Sequence, residues 1–330
     1  MPDPDKILEE NYYDYSIYRD LLTDPHLSAA LQQRKMQVLQ MGIELIGDKK
    51  QKQRAKTVLE RLRIQKIVSD ALNAVLYGFV PLEVNYEYDG GELKITDVNE
   101  KPQEWFFFDQ NNELYLRKRV DGLYYYEKGR KLPDYKFIIV RNEPTYSNPY
   151  GKKVLSSAYW PVTFKRAAIE DWQDRVQRFG LPFIEGEYPT TATPTEIAEF
   201  EAKLEEMLDT NVLTKMAGYE LTFKEPVNYT LDEVYHIIIR FHNTEISKAI
   251  LSETLTIEID RAGSYKAADI HREMLGLIGL SDKKLAELTI DRLLQYDMYL
   301  NFGKLEAAKV KLRTAEDIRE VDSTVEIMGR

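Results

Sequence analysis

Between Lys153 and Gly180 the chain carries one long helical pattern, and that length constrains the fold more than any other feature. Apolar Leu155, Ala158, Tyr159, Val162, Ile169, Trp172, Val176 and Phe179 recur three or four apart, the spacing of a single helix face. Gly180 stands as a C′ glycine and Pro182 forbids continuation, so the helix is expected to end near Phe179. Roughly 25 residues at 1.5 Å each give a rod of about 37 Å. Pro161 falls inside it and implies a kink or an early first turn. A turn precedes the rod at Tyr146-Ser147-Asn148-Pro149-Tyr150-Gly151: Pro149 fixes φ, biases Asn148 to extended backbone, and Gly151 tolerates positive φ.

A chain of 330 residues can bury a large core in one to three domains. It holds no cysteine, which removes disulfides, thiolate metal sites and thiol nucleophiles together. No apolar run approaches the ~20 residues of a membrane span, and Met1-Pro2-Asp3-Pro4-Asp5 is not a signal peptide. The net charge of −10 opposes tight DNA binding, which needs clustered Lys and Arg. The 22 tyrosines suit either interfaces or a Tyr-rich sheet.

In chain order, Tyr12, Tyr13, Tyr15 and Tyr18 mark an arm that packs on a neighbour or on its own domain. Asp24-Pro25 opens a helix to about Met41, and a second helix is expected over Gln51–Tyr77, closed by Gly78. From Phe79 to Arg141 the period falls to two. Six strands (Phe79–Tyr88, Glu92–Val98, Glu104–Asp109, Glu113–Val120, Leu123–Glu127, Phe137–Val140) predict an antiparallel meander. After the rod, Leu181–Tyr188 reads as a strand and Thr195 as the cap of a helix Glu196–Leu208. Val212–Met216 and Tyr219–Lys224 are β segments, so a small αβ module is expected between two long helices. Thr230-Leu231-Asp232-Glu233 has the form of a capping box and opens a second rod to about Glu253. Leu255–Lys266 loses helix propensity. A third long helix follows over Ala267–Phe302, soft between Gly276 and Ser281, then a strand at Lys309–Arg313 and an acidic tail.

No motif for catalysis or phosphate binding occurs, and no cofactor or metal is expected. His236 and His242 lie six apart, which places them on opposite sides of a helix. Glu170, Asp171 and Asp174 read as a solvated face opposite the apolar stripe.

Several short pieces, in order, resemble one family. They are Asp24-Pro25-His26-Leu27, Tyr77-Gly78-Phe79, Asn148-Pro149-Tyr150-Gly151, Tyr159-Trp160-Pro161 and Phe179-Gly180-Leu181-Pro182. Ile246-Ser247-Lys248-Ala249-Ile250-Leu251, Thr254-Leu255-Thr256 and Ile270-His271-Arg272-Glu273 continue the set. Over roughly residues 20 to 305 the chain is similar to the Mu-like (prophage) family of phage portal proteins.

The resemblance implies an α+β portal-type fold with long stem helices, an antiparallel β-rich wing and a small αβ clip. It assigns 1–153 to the wing, 154–182 and 230–254 to stem helices, 183–229 to the clip and 255–266 to a tunnel loop. Residues 267–330 become a tunnel/wing helix and C-terminal tail; portal chains of this type usually continue past the position of Arg330, many into a helical crown, and on this departure from the family pattern a crown is not expected. It implies a non-enzymatic virion protein, assembled in the host cytoplasm as a ring of twelve copies at one capsid vertex. DNA is packaged and ejected through the ring. The implied partners are the terminase large subunit, head-completion or adaptor proteins, the major capsid and scaffold proteins, and duplex DNA held weakly in transit; no membrane is involved. The tunnel-loop candidates are Thr256, Glu258, Asp260, Arg261, Ser264, Tyr265 and Lys266. Lys165, Arg166, Arg175 and Arg178 are the channel-facing stem candidates, and Glu196, Glu199, Lys203, Lys215 and Tyr219 the clip docking candidates. Two other classes stand beside this reading. One is another ring-forming virion or tail/baseplate protein, which would lack two long antiparallel rods with an inserted domain. The other is a metal-dependent DNA-processing enzyme, which a Mg²⁺ carboxylate cluster would support.

Overall fold

A computed structural model describes residues 2–120, 123–179, 183–187, 190–210, 220–224, 230–252 and 265–314. The chain divides into two compact units, Met1–Val162 with Asn243–Arg330, and Thr163–His242. Val212–Met216, the turn Asp121-Gly122, residues 253–264 and the tail from 315 lie outside the described residues.

In the first unit the tyrosine arm forms α1 (Lys6–Glu10) and α2 (Ser16–Leu21) and packs on its own unit. Tyr15 and Tyr18 are buried, while Tyr12 is exposed. The Tyr15 hydroxyl donates to Asp3 at 2.8 Å and that of Tyr18 to Asp5 at 2.6 Å. Lys153 Nζ closes the cluster on Asp3 at 2.8 Å, with both side chains only 2% exposed. Helix α3 (Pro25–Leu39) begins as the sequence indicates, with Asp24 accepting from the Leu27 N–H and Pro25 at the first turn.

Strand β1 (Gly42–Ile46), absent from the sequence expectations, pairs antiparallel with β10 (Lys309–Arg313), the expected late strand. The expected helix over Gln51–Tyr77 is two helices, α4 (Lys49–Leu59) and α5 (Ile64–Tyr77). A single rod of that length would extend about 40 Å and carry one end out of the core. The break at Glu60–Arg63 instead lets Val58, Leu59, Ile67, Val68 and Leu72 enter one cluster. Asp48 and Gln51 close a capping box at the start of α4.

The six strands β2 (Phe79–Asp89), β3 (Glu92–Glu100), β4 (Phe106–Phe108), β5 (Leu114–Val120), β6 (Leu123–Lys131) and β7 (Phe137–Arg141) exist, but they do not form one meander. They make two antiparallel sheets, ordered β3-β2-β7 and β4-β5-β6. Strand β2 uses both its edges, from Leu82 onward on β3 and over Phe79–Glu83 on β7. The 3-10 turn Gln103–Trp105 after Pro102 leads the chain out of that sheet before β4 begins.

Helix α6 (Val154–Phe179) ends where the sequence places it, with Pro161 well inside the helix and not in an early first turn. Helix α8 spans Thr230–Leu251 and α9 spans Tyr265–Phe302. Helix α9 starts two residues before its expected position and runs unbroken through Gly276–Ser281. Its 38 residues extend about 57 Å. The soft point has a packing role: a Cβ on Gly279 would lie 2.8 Å from Gln37 Cβ, so the glycine lets α9 approach α3. Two forked ion pairs fix the same helix. Arg34 on α3 grips Asp282 at 2.7 and 2.9 Å and donates to the Ile250 carbonyl in the last turn of α8. Arg54 on α4 grips Asp297 at the same two distances.

The turn before α6 is a junction of two backbones. Gly78 (φ 86°) and Gly151 (φ 78°) face each other so closely that a Cβ on Gly151 would sit 2.5 Å from the Gly78 carbonyl oxygen. Asn142 N–H donates to Gly78 O, and Lys152 N–H to Asn142 O, both at 2.8 Å. Tyr150 drops into the core, edge-on to Phe79 and Phe108.

In the second unit, β8 (Phe183–Glu187) pairs antiparallel with β9 (Glu220–Lys224), Phe183 opposite Lys224. Helix α7 (Pro194–Thr210) lies between them in sequence. This is the αβ module expected between the two rods.

Candidate channel and docking surfaces

The lower half of α6 and the first half of α8 lie side by side and antiparallel within the second unit. Phe164 meets His242 at 6.1 Å between ring centroids. Further along, Trp172 stacks on Tyr235 at 6.3 Å and takes the edge of His236 at 4.7 Å. As α6 advances, α8 recedes, which is the signature of a helical hairpin with the αβ module at its tip. Both histidines therefore turn toward α6, not to opposite sides of α8 as their spacing suggests. Six residues still separate them by about 9 Å along the axis, too far to share an ion.

The four stem cations do not form one row. Lys165 is only 5% exposed, the least accessible of the described stem candidates. Arg166 and Arg175 are half-buried, and the Arg178 side chain lies outside the described residues. At 100° per residue, positions 166 and 175 sit on opposite sides of α6.

Among the docking candidates, Glu196 is exposed but already engaged. Its carboxylate accepts from the Thr193 N–H and hydroxyl, both at 2.8 Å, while Thr193 Oγ1 receives the Glu196 N–H at 3.4 Å. This reciprocal pair makes Thr193 the helix cap, two residues before the expected Thr195, with Pro194 opening α7. The same hydrogen bonds hold the Glu196 carboxyl below its ordinary range. Glu199 and Lys203 are exposed one turn apart on α7. Lys215 and Tyr219 lie outside the described residues, as do Thr256, Glu258, Asp260, Arg261 and Ser264 of the loop. Tyr265 and Lys266 open α9, and their side chains are not among those described.

Among the described residues, no cluster of three or more His, Asp or Glu side chains is placed to hold a metal, and no helix is long and apolar enough to cross a membrane. His26 Nε2 contacts Ser247 Oγ at 2.8 Å, a pair joining α3 to α8.

The second unit is thus a helical hairpin carrying a small αβ module, and the first is a β-rich unit backed by one long helix. An HK97-family portal protein from Corynebacterium diphtheriae superposes with a TM-score of 0.50 at 12% identity, over 92% of this chain and 97% of its own. The neck of an empty gene transfer agent particle gives 0.60 at 12% identity, over 89% and 81%. The family model described as the portal protein of Mu bacteriophage matches residues 15–329, and the chain belongs to that family. The FluMu protein gp29 of a Mu-like prophage in Haemophilus influenzae is 28% identical over 77% of this chain and 48% of its own length. The portal protein of Escherichia phage Mu is 25% identical over 83% and 54%. The chain thus spans about half the length of the curated relatives it matches.

Proposed function

We propose that this chain is the subunit of a closed ring of about twelve copies at one capsid vertex, a structural and not a catalytic component. DNA enters and leaves the head through its channel. The family match over nearly the whole chain carries the reading, and the hairpin of α6 and α8 with its αβ tip supports it. On this reading residues 154–182 and 230–254 form the stem, 183–229 the clip, 255–266 the tunnel loop, and 1–153 with 267–330 the wing. The clip meets the terminase large subunit and then head-completion proteins, with exposed Glu199 and Lys203 among its contacts. Capsid and scaffold proteins surround the ring, which is assembled in the host cytoplasm and carried in the virion.

A chain of net charge −10 with few channel cations suits a conduit. Duplex must slide, and dense phosphate neutralisation would hold it. Arg166, Arg175, Arg178, Arg261 and Lys266 touch the backbone only in passage.

Deletion of the gene from its phage, with a plasmid copy supplied in trans, tests this reading. The expected result is loss of nuclease-protected DNA from particles, restored by the plasmid. DNA-filled, infectious particles without the gene would contradict it.

A further inference from the structure

Strand β7 is an edge of its sheet, and its pairing shows which way its free groups point. The bonds Asn142 N–H to Gly78 O and Val84 N–H to Lys136 O bracket the β2–β7 register. Antiparallel pairs alternate between bonded and non-bonded, so Phe137, Ile139 and Arg141 turn their N–H and C=O groups away from β2. The outward carbonyl of Phe137 receives the Tyr296 hydroxyl at 2.8 Å. Among the described residues nothing meets the outward N–H and C=O of Ile139.

Those groups open into a cleft of about 670 Å³ whose far wall is α9, through Leu285, Leu288, Thr289 and Arg292. Leu288 is 66% exposed, although it faces a cleft with an apolar strand opposite. At the β4–β5 turn, Asn112 Oδ1 is enclosed without a donor. Arg141, Arg292 and Lys309 line the cleft against one carboxylate, Asp291. An open strand edge, an apolar wall and surplus positive charge together match an extended acidic segment.

We propose that residues 321–328 of a second copy of this chain add to β7 as a fourth strand. Residues 315–330 carry Glu316, Asp317, Glu320, Asp322 and Glu326 against Arg319 and Arg330. They include the β-branched run Thr324-Val325 and Ile327. Lys309 lines the cleft and opens β10, and the later residues of that strand do not line it. Head-to-tail contacts of this kind between copies close into rings. The proposal rests on the ring reading above.

The absence of cysteine makes the test clean. Leu288→Cys and Val325→Cys chains are mixed under assembly conditions and treated with a short bismaleimide, with Tyr88→Cys on an exposed hairpin as the control. The expected product is a heterodimer of the two variants, and a ladder of linked chains from the Leu288→Cys/Val325→Cys double variant. Adding Arg292→Glu should cut the yield severalfold. A link confined within single chains, or a yield no higher than the control's, overturns the proposal. Ring formation is read separately by mass. Rings without the link leave the ring reading standing, whereas linked dimers that never close would support the strand and count against the ring.

Discussion

Gly78 and Gly151 are where single residues most clearly determine the fold. Both hold positive φ, and each occupies space that a Cβ would contest with the other's backbone. Gly151→Ala combines a left-handed backbone penalty with a clash against two carbonyl oxygens, at a cost of about 2–5 kcal/mol by chemical denaturation. The Asn-Pro-Tyr-Gly turn was legible in sequence as a turn. That Tyr150 is a core anchor and that Gly151 touches Gly78, 73 positions earlier, was not, because that contact depends on two distant backbones meeting. Glu100 provides a pH signature at the same scale. Burial pushes its carboxyl above the ordinary range, against hydrogen bonds from Asn73 and Gln103. A carboxyl with a raised folded pKa contributes its full stability below about pH 4.3. That contribution is lost as pH rises through the folded value. Glu100→Gln removes this loss, so the stability of the variant relative to the parent should climb between pH 4 and 7. A difference that stays constant with pH would contradict this.

Elements set by local pattern were well read, and elements set by distant partners were not. The ends of α6, α8 and α9 fall within two residues of their expected positions at nearly every boundary, because apolar spacing and glycine or proline stops are local. Strand β1 was missed because five residues between two helices gain meaning only from β10, more than 250 positions later. The single meander failed for the same reason: short turns fix neighbours in sequence, while the return of β7 to β2 is non-local. The α4–α5 break is a packing outcome that helical period does not report. The two glycines of α9 give opposite predictions. Gly279→Ala forces a Cβ onto Gln37 and should destabilise by about 1–3 kcal/mol. A Cβ at Gly276 meets nothing within 4 Å, so Gly276→Ala should stabilise by up to about 1 kcal/mol through helix propensity. Thermal melts of the two variants should move in opposite directions.

For the whole molecule, the sequence was informative about architecture, whereas the burial and partners of single charged residues emerge only from the structure. Two rods, an inserted αβ module and a β-rich unit were all visible. Of the stem cations, Lys165 is buried, and Glu196 is engaged in a helix cap. A charge on a helix reads as surface until its neighbours are known. Much of the exposed apolar surface on α9, at Met274, Leu277, Leu280, Leu288, Tyr299 and Phe302, falls on one side of the helix. A stripe of that length in a single chain is expected surface for subunit contact. Native mass of the purified full chain, with negative-stain images of the same fraction, is the decisive measurement of ring assembly. The expected species is a closed ring with a central hole, and twelve chains of 38.6 kDa would weigh about 460 kDa. A compact monomer or dimer that persists with scaffold protein present, and that cuts duplex DNA or binds it tightly at physiological salt, would contradict it.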